Sequence, residues 1–410
     1  MRAEERRLRN EDADLELELE LEEDDDAPDD EGSKQIGALQ ALLGDRRKLI
    51  SGIALIVLLV FAIYVVFPKL VGLDEAVRRF DEAVWYWVVI AIGFNALAFG
   101  AYVALFRGVL GGTRDEDVHQ RLDLRASYQI TMAGLAATRI FSAAGAGGLV
   151  LTYWALRKAG MPRRRSACRM VAFLVLTYVV YTGALVIFGV LLRTGVLPGN
   201  DPLGGTIIPA IVGGTAILIF GLIALIPKDA EERISGFAGR HPRATFLTQI
   251  STGPATVASG VRTAIAYVRR PRRGALALGG AIGFWAANIG VLWASFEAFG
   301  GDVPIGVLVQ GFFVGMAANL IPSPAGGVGA VDAGMIGAFV LFGVDEATVF
   351  PAVLTYRVIA FWLPIPPGVV AFFQLRGTVA EWERERREGV PPGHYTSKSK
   401  AMGAAAAPPG

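Results

Sequence analysis

The chain has 410 residues, 53% of them hydrophobic and only 19% charged, and its charges cluster between long apolar runs. A bilayer core of about 30 Å needs about 20 apolar residues in a helix, and several runs reach that length, so a soluble globular protein is excluded. The formal net charge of +1 hides a split: residues 1–31 hold 16 acidic and 4 basic residues, leaving 22 acidic and 35 basic ones for positions 32–410.

In chain order, the acidic head (1–44) reads as a disordered, solvated cytoplasmic tail, with docking of a basic cytoplasmic partner as the sharper alternative. Apolar spans follow near Leu49–Phe67, Ala83–Phe106, Met170–Leu192, Ile207–Ile226, Ala275–Phe299 and Thr348–Leu375. Two further apolar regions, 127–156 and 304–343, are interrupted in the middle by Gly-rich or Pro-rich sequence. A membrane domain is therefore expected over 45–380, with repeat halves of approximately 83–226 and 275–375 and a cytoplasmic linker at 228–274; residues 381–410 read as a disordered cytoplasmic tail. The single cysteine, Cys168, rules out an internal disulfide framework, and no metal-ligand spacing surrounds it. No cofactor, metal or nucleic-acid partner is expected.

Lys and Arg set the orientation. Arg46, Arg47 and Lys48 precede the first span, Arg107, Arg114, Arg121 and Arg125 follow the second, and six bases from Arg157 to Arg169 follow the first interrupted region. Nine more lie in 228–274, and Arg376, Arg384, Arg386 and Arg387 lie in the tail. The positive-inside rule places all of these, and both termini, in the cytoplasm of a multi-pass cell-membrane protein. With bases at both ends, 127–156 must cross an even number of times and reads as a re-entrant hairpin entered from inside. Parity places both ends of 304–343 outside. The expected fold is all-α and polytopic, with about six full transmembrane helices and two broken hairpins.

The two broken regions repeat one another. GLAATRIFSAAGAGG (134–148) and GMAANLIPSPAGGVG (315–329) share eight of fifteen residues, and Val175-Leu-Thr-Tyr-Val-Val180 shares five of six with Val353-Leu-Thr-Tyr-Arg-Val358. The copies lie in spans of opposite direction, which makes an inverted-topology repeat. Secondary transporters built this way place substrate near the midplane, where broken helices meet. Gly and Ala in such hairpins also serve close helix packing.

Helix breaks in a bilayer survive only inside protein or along a polar cavity, because each unsatisfied backbone group costs several kcal/mol. Pro322 and Pro324 force the second break. A new helix N-terminus can hold a phosphate or carboxylate, and glycine lets it approach. The candidate substrate-binding residues are therefore Ser142, Gly145, Gly148, Ser323, Gly326, Gly327 and Gly329 at the two breaks. To these are added the ionisable residues Arg139, Asp332 and Arg357, with Tyr356 beside Arg357 in the repeated motif. Asp332 and Arg357 suit either a structural ion pair or an arginine that binds an anionic headgroup while the aspartate orients it. Arg139 could instead snorkel to the interface. Asn95, Asn288, Glu297 and Asn319 are weaker candidates.

The stretch from Ala317 to Phe372 resembles the closing signature of the lysylphosphatidylglycerol synthase/flippase membrane-domain family. The residues that carry the likeness are Pro322, Pro324, Gly326, Gly327, Gly329, Asp332, Arg357, Trp362 and Pro364. Gly145-Ala-Gly-Gly148 followed by Arg157 resembles the family's first hairpin motif, without its usual proline, and Asp332 stands where glutamate is usual. The resemblance spans roughly residues 45–380. It implies a flippase that moves or binds an anionic or aminoacylated phospholipid, or a polyprenyl-phosphate-linked lipid. The sequence after the last span is too short for an aminoacyl-transferase domain, so no synthase activity and no catalytic residue is expected. A homo-oligomer is compatible with the sequence. The main alternative is a membrane-embedded lipid-phosphate enzyme resembling polyprenyl-diphosphate phosphatases, disfavoured by the lack of histidine in the spans; a small-ion channel is a third.

Overall fold

The computed structural model describes residues 83–110, 116–140, 146–225, 245–269, 271–320 and 328–394. Among them every regular element is helical. Five stretches are long and apolar enough to cross a bilayer: Trp85–Leu110, Arg163–Arg193, Ile207–Ala224, Gly274–Ala298 and Glu346–Glu388. They match the expected spans from the second onward; the first, near Leu49–Phe67, lies outside the described residues, as do the acidic head and residues 395–410.

The elements run α1 (Trp85–Leu110), α2 (Glu116–Arg121), α3 (Leu124–Ile140), α4 (Ala146–Ala159), α5 (Arg163–Arg193) and α6 (Ile207–Ala224). Then come α7 (Thr245–Arg269), α8 (Pro271–Ala298), α9 (Ile305–Met316) with a 3₁₀ turn (Ala317–Leu320), α10 (Ala330–Leu341), α11 (Glu346–Arg357), a π turn (Val358–Trp362) and α12 (Ile365–Glu388).

The first spans of the two halves, α1 and α8, form the most extensive pairing. They run antiparallel, Gly108 meeting Ala277, Gly280 meeting Leu105 and Gly290 meeting Phe94. A Cβ at Gly280 would overlap the Leu105 backbone, so the close approach demands glycine here. Small residues let backbones touch where lipid offers no hydrophobic drive for association.

Each broken region is a helical hairpin. α3 has 17 residues, α4 has 14, α9 and α10 have 12 each; at about 1.5 Å per residue they span roughly 18–25 Å, less than the bilayer core. Both hairpins cross on glycine. A Cβ at Gly148 would lie 2.5 Å from Gly134 O, and one at Gly315 would lie 2.6 Å from Met335 Cα.

The hairpins enter from opposite ends of the bundle. At the basic end, Lys158 after hairpin one pairs with Glu383 at 2.6 Å, and Arg169 donates to Val109 O at 3.0 Å. At the other end, Val84 N–H donates to Ala298 O and Asn200 donates to Phe342 O at 2.8 Å. The hairpins are also exchanged: α12 packs on α3 of the first, and α5 packs on α9 of the second. Gly368 sits against Ala136 and Met132 O, and the Tyr181 hydroxyl donates to Phe313 O at 2.6 Å. Thus each hairpin is held by the span that follows the other.

One pair extends the repeat beyond the segment read from sequence. Gln129 and Gln310 stand five residues before the aligned Gly134 and Gly315, and both are buried. Gln129 accepts from Thr378 Oγ1 at 2.8 Å and Gln310 donates to Gly205 O at 2.9 Å. Each pins its hairpin to a neighbour.

Three expectations are corrected. The stretch 228–274 is not merely a linker: α7 lies within it, burying Ala258, Val261 and Ala264 against α5, α6 and α8. The last span, expected to be one helix over Thr348–Leu375, is broken at the π turn. Residues 381–388, expected to open a disordered tail, are helical: α12 continues to Glu388 and buries Trp382 and Glu385.

Gly280→Ala should cost about 1–3 kcal/mol through overpacking, whereas Gly100→Ala, with nothing near its added Cβ, should be neutral or better. Thermal unfolding of the two variants in detergent checks this; equal melting temperatures would contradict the crossing described.

Candidate functional site

The break in the last span follows from backbone accounting. Pro364, Pro366 and Pro367 have no N–H, so helical carbonyls upstream lose their donors. Leu363 N–H donates back to Val358 O at 2.9 Å, the five-residue reach of a π turn. Ile359 O therefore lacks its usual partner and accepts instead from Asn95 Nδ2 of α1 at 3.0 Å. Ala360 O faces Pro364, and Arg139 Nη2 fills the gap at 3.0 Å. Arg139 Nη1 donates to Phe361 O at 2.9 Å. Buried backbone groups need partners, and two side chains from the other half of the molecule supply them.

The second hairpin reaches the same place from the other side. Gly329 has φ +84° with nothing within 4 Å of a would-be Cβ, so glycine is needed there for conformation rather than for space. Its N–H donates to Asp332 Oδ2 at 2.8 Å, which closes the start of α10. Asp332 Oδ1 accepts from Arg357 Nε at 2.6 Å, with the two side chains 8% and 5% exposed. This buried pair fixes the tip of hairpin two to the end of α11.

The Phe361 ring joins the two sides. The Arg357 guanidinium carbon lies 4.5 Å from its centre and that of Arg139 lies 5.2 Å from it, both within cation–π range. Tyr356 and Tyr102 lie within electrostatic reach of Arg139. Tyr356 is buried, with its ring edge-on to Phe312 at 5.8 Å, and Tyr102 packs on Phe173 and Phe284. Two guanidinium groups thus share one ring, and one of them is paired with a carboxylate. Among the described residues no ion pair involves Arg139.

The structure gathers Arg139, Gly329, Asp332, Tyr356 and Arg357 at this one break. Arg139 points inward to the π turn and does not snorkel. Gly148 is accounted for by packing: it is buried against Gly134 and Thr138. Ser142, Gly145, Ser323, Gly326 and Gly327 lie outside the described residues. The free N–H expected at the second break is, at Gly329, already taken by Asp332. Asn288 bonds only within its own helix, to Phe284 O, and Asn319 is exposed on the 3₁₀ turn.

Phe361, Tyr102 and the role of Asn95 were missed from sequence. The prolines at 364 and 366 were the available signal: counting back four residues from Pro364 reaches Ala360 O, and counting back five, the reach of a π turn, from Pro364 and Pro366 reaches Ile359 O and Phe361 O.

The family model described as lysylphosphatidylglycerol synthase TM region matches residues 50–368, which include every residue of the break. A UPF0104 membrane protein of Methanothermobacter thermautotrophicus is 24% identical over 265 residues, 63% of this chain and 77% of that protein. No solved structure matches.

A buried pair is weak evidence for stability, yet removing one partner costs about 3–5 kcal/mol. Asp332→Leu alone should therefore destabilise strongly, while Asp332→Leu with Arg357→Leu should recover most of the loss. A double-mutant cycle by thermal unfolding measures the coupling; strictly additive losses would contradict the pairing.

Proposed function

The chain belongs to the family of the lysylphosphatidylglycerol synthase TM region, and from that premise and the charge at the break we propose that it is a lipid flippase. It binds a phosphate-bearing lipid headgroup beside Arg139 at the break in the last span and passes it between leaflets while the chains stay in the bilayer. The function lies in transport, with no catalytic residue assigned.

The observation that carries this reading is the second guanidinium. A charge at span centre costs about 2.5–3.5 kcal/mol on insertion scales, so an uncompensated one needs a reason. Capping the broken helix is not that reason, since the neutral Asn95 caps Ile359 O in the same turn. With Asp332 balancing Arg357, Arg139 leaves a net positive site suited to a phosphate. Arginine forks bind phosphate oxygens through paired, charge-assisted hydrogen bonds.

The surrounding architecture supports movement. Inverted repeats with discontinuous helices work by rocking one element against the other around a fixed midplane site. Here the π turn and the 3₁₀ turn of Ala317–Leu320 supply irregular backbone beside it, and such stretches often mark hinges.

Arg139→Gln keeps amide donors for the two carbonyls and removes the charge. A hydrogen bond to a charged group is worth about 1.5–3 kcal/mol, so headgroup affinity should fall roughly tenfold to a hundredfold. The measurement is headgroup accessibility over time in vesicles containing the purified protein, with wild type and Arg139→Gln compared. Equal rates in wild-type, variant and protein-free vesicles, for every lipid tried, would overturn the flippase reading.

A further inference from the structure

We infer that the turn between α4 and α5, at the basic end of the bundle, is a second anion site that holds a phosphate group between Arg121 and Arg386. Arg121 ends α2 just before α3 begins, whereas Arg139 stands at the far end of α3 (Leu124–Ile140), roughly 22 Å from Leu124 by the helical rise. The site is therefore separate from the break, and it does not rest on the transport reading.

Three arginines from three elements meet on this turn. Lys158 O accepts from Arg386 Nη2 of α12 at 2.7 Å, Ala159 O from Arg121 Nη1 of α2 at 3.2 Å, and Met161 O from Arg157 Nη1 of α4 at 2.7 Å. Gly160, in their midst, has φ +104°, and a Cβ there would lie 3.3 Å from Arg121 Nη1. The Arg386 guanidinium is within electrostatic reach of those of Arg121 and Arg157.

Helix capping accounts for only part of this. A helix C-terminus carries about half a negative charge, so the end of α4 offsets a fraction of one guanidinium. The next helix deepens the imbalance: α5 opens on Arg163, Arg164 and Arg165 with no acid in its first turn, where the dipole favours a negative group. Lys158 is balanced by Glu383 at 2.6 Å. Across 116–125, 157–169 and 376–388, the buried Glu385 included, twelve Lys and Arg stand against seven Asp and Glu, a net charge of +5.

The buried member points to a ligand. Arg121 is 9% exposed, its Nη1 bond to Ala159 O is the one seen, and its buried Nε has no partner. Among the described residues no ion pair involves Arg121 or Arg386. A buried donor of a charged group is costly to leave unbonded. A phosphate answers both needs, because its oxygens accept from guanidinium forks and its charge offsets the cluster. Arg386, which is exposed, supplies the outer contact. The ligand chemistry is a phosphate, from a lipid headgroup or from a soluble phosphate ester. Leu124 and Tyr128, exposed one turn apart at the start of α3, suit the edge of the apolar layer beside Arg121 and favour the lipid source.

The experiment labels the full wild-type chain, in neutral detergent, with phenylglyoxal, and peptide mass spectrometry reads the labelling rate of each arginine. Three probes are added in turn: dioctanoyl phosphatidic acid, dioctanoylglycerol, which lacks the phosphate, and glycerol phosphate, which lacks the chains. Phosphatidic acid should slow labelling of Arg386 roughly tenfold once it is in about tenfold excess over its Kd, by mass action. The neighbouring exposed Arg387 should be unaffected, and dioctanoylglycerol should protect neither. Arg121→Gln should remove most of the protection. Protection by phosphatidic acid alone would name a lipid headgroup as the source, and equal protection by glycerol phosphate a soluble ester; either supports the inference. Arg386 labelling that neither phosphate probe slows would overturn it, as would equal protection by dioctanoylglycerol or equal protection of Arg387. The transport reading, tested at Arg139, stands or falls separately. Because the comparison among probes is made on the wild-type chain, misfolding of the variant cannot mask the result.

Discussion

Three prolines at the end of the last span govern this molecule. Pro364, Pro366 and Pro367 cannot donate to the helix, and hydrocarbon has no water to replace them, so the freed carbonyls must find donors within the protein. The donors come from far away in sequence: Asn95 is 264 positions from Ile359, and Arg139 is 222 from Phe361. The break therefore ties α1 and the end of α3 to the last span. That requirement accounts for the inward turn of the Arg139 side chain, although a neutral amide meets it equally well at Ile359 O.

The second hairpin meets the same break through a different bond. Its tip is tied by Asp332 to Arg357, and the pair sits on the face of Phe361 opposite neither hairpin alone but shared by both arginines. The exchanged packing, with α12 on α3 and α5 on α9, means that neither hairpin shifts without disturbing the other half. The two halves of the inverted repeat are thus coupled through one shared break.

Much of this was legible in the residues. Uncharged runs of about 20 residues can only be spans in this context, and the matched GLAATRI and GMAANLI segments marked both hairpins. The pairing of Asp332 with Arg357 was among the arrangements their positions suggested. What sequence hid was long-range partnership. Arg139 looked equally suited to snorkelling, since only tertiary contact with Ala360 and Phe361 decides its direction. The continuous apolar run through Thr348–Leu375 masked the π turn, because hydropathy ignores backbone donors. α7 was hidden by its polar and basic composition, which reads as linker until its small apolar face meets α5. The repeat itself is imperfect at the break: Val179 occupies the place of Arg357, and α5 runs unbroken through it.

The central claim is that Arg139 at the end of α3 and Asp332 in the first turn of α10 meet at one proline-broken span, the arrangement from which the phosphate-binding reading is drawn. An experimental density map of the full chain in lipid nanodiscs containing anionic lipid tests it most directly. The account predicts a π turn at Val358–Trp362 with Arg139 bonded to its carbonyls and a phosphate in hydrogen-bond range of the Arg139 guanidinium. A continuous helix through Pro364, or Arg139 extended toward the bilayer surface, would contradict it.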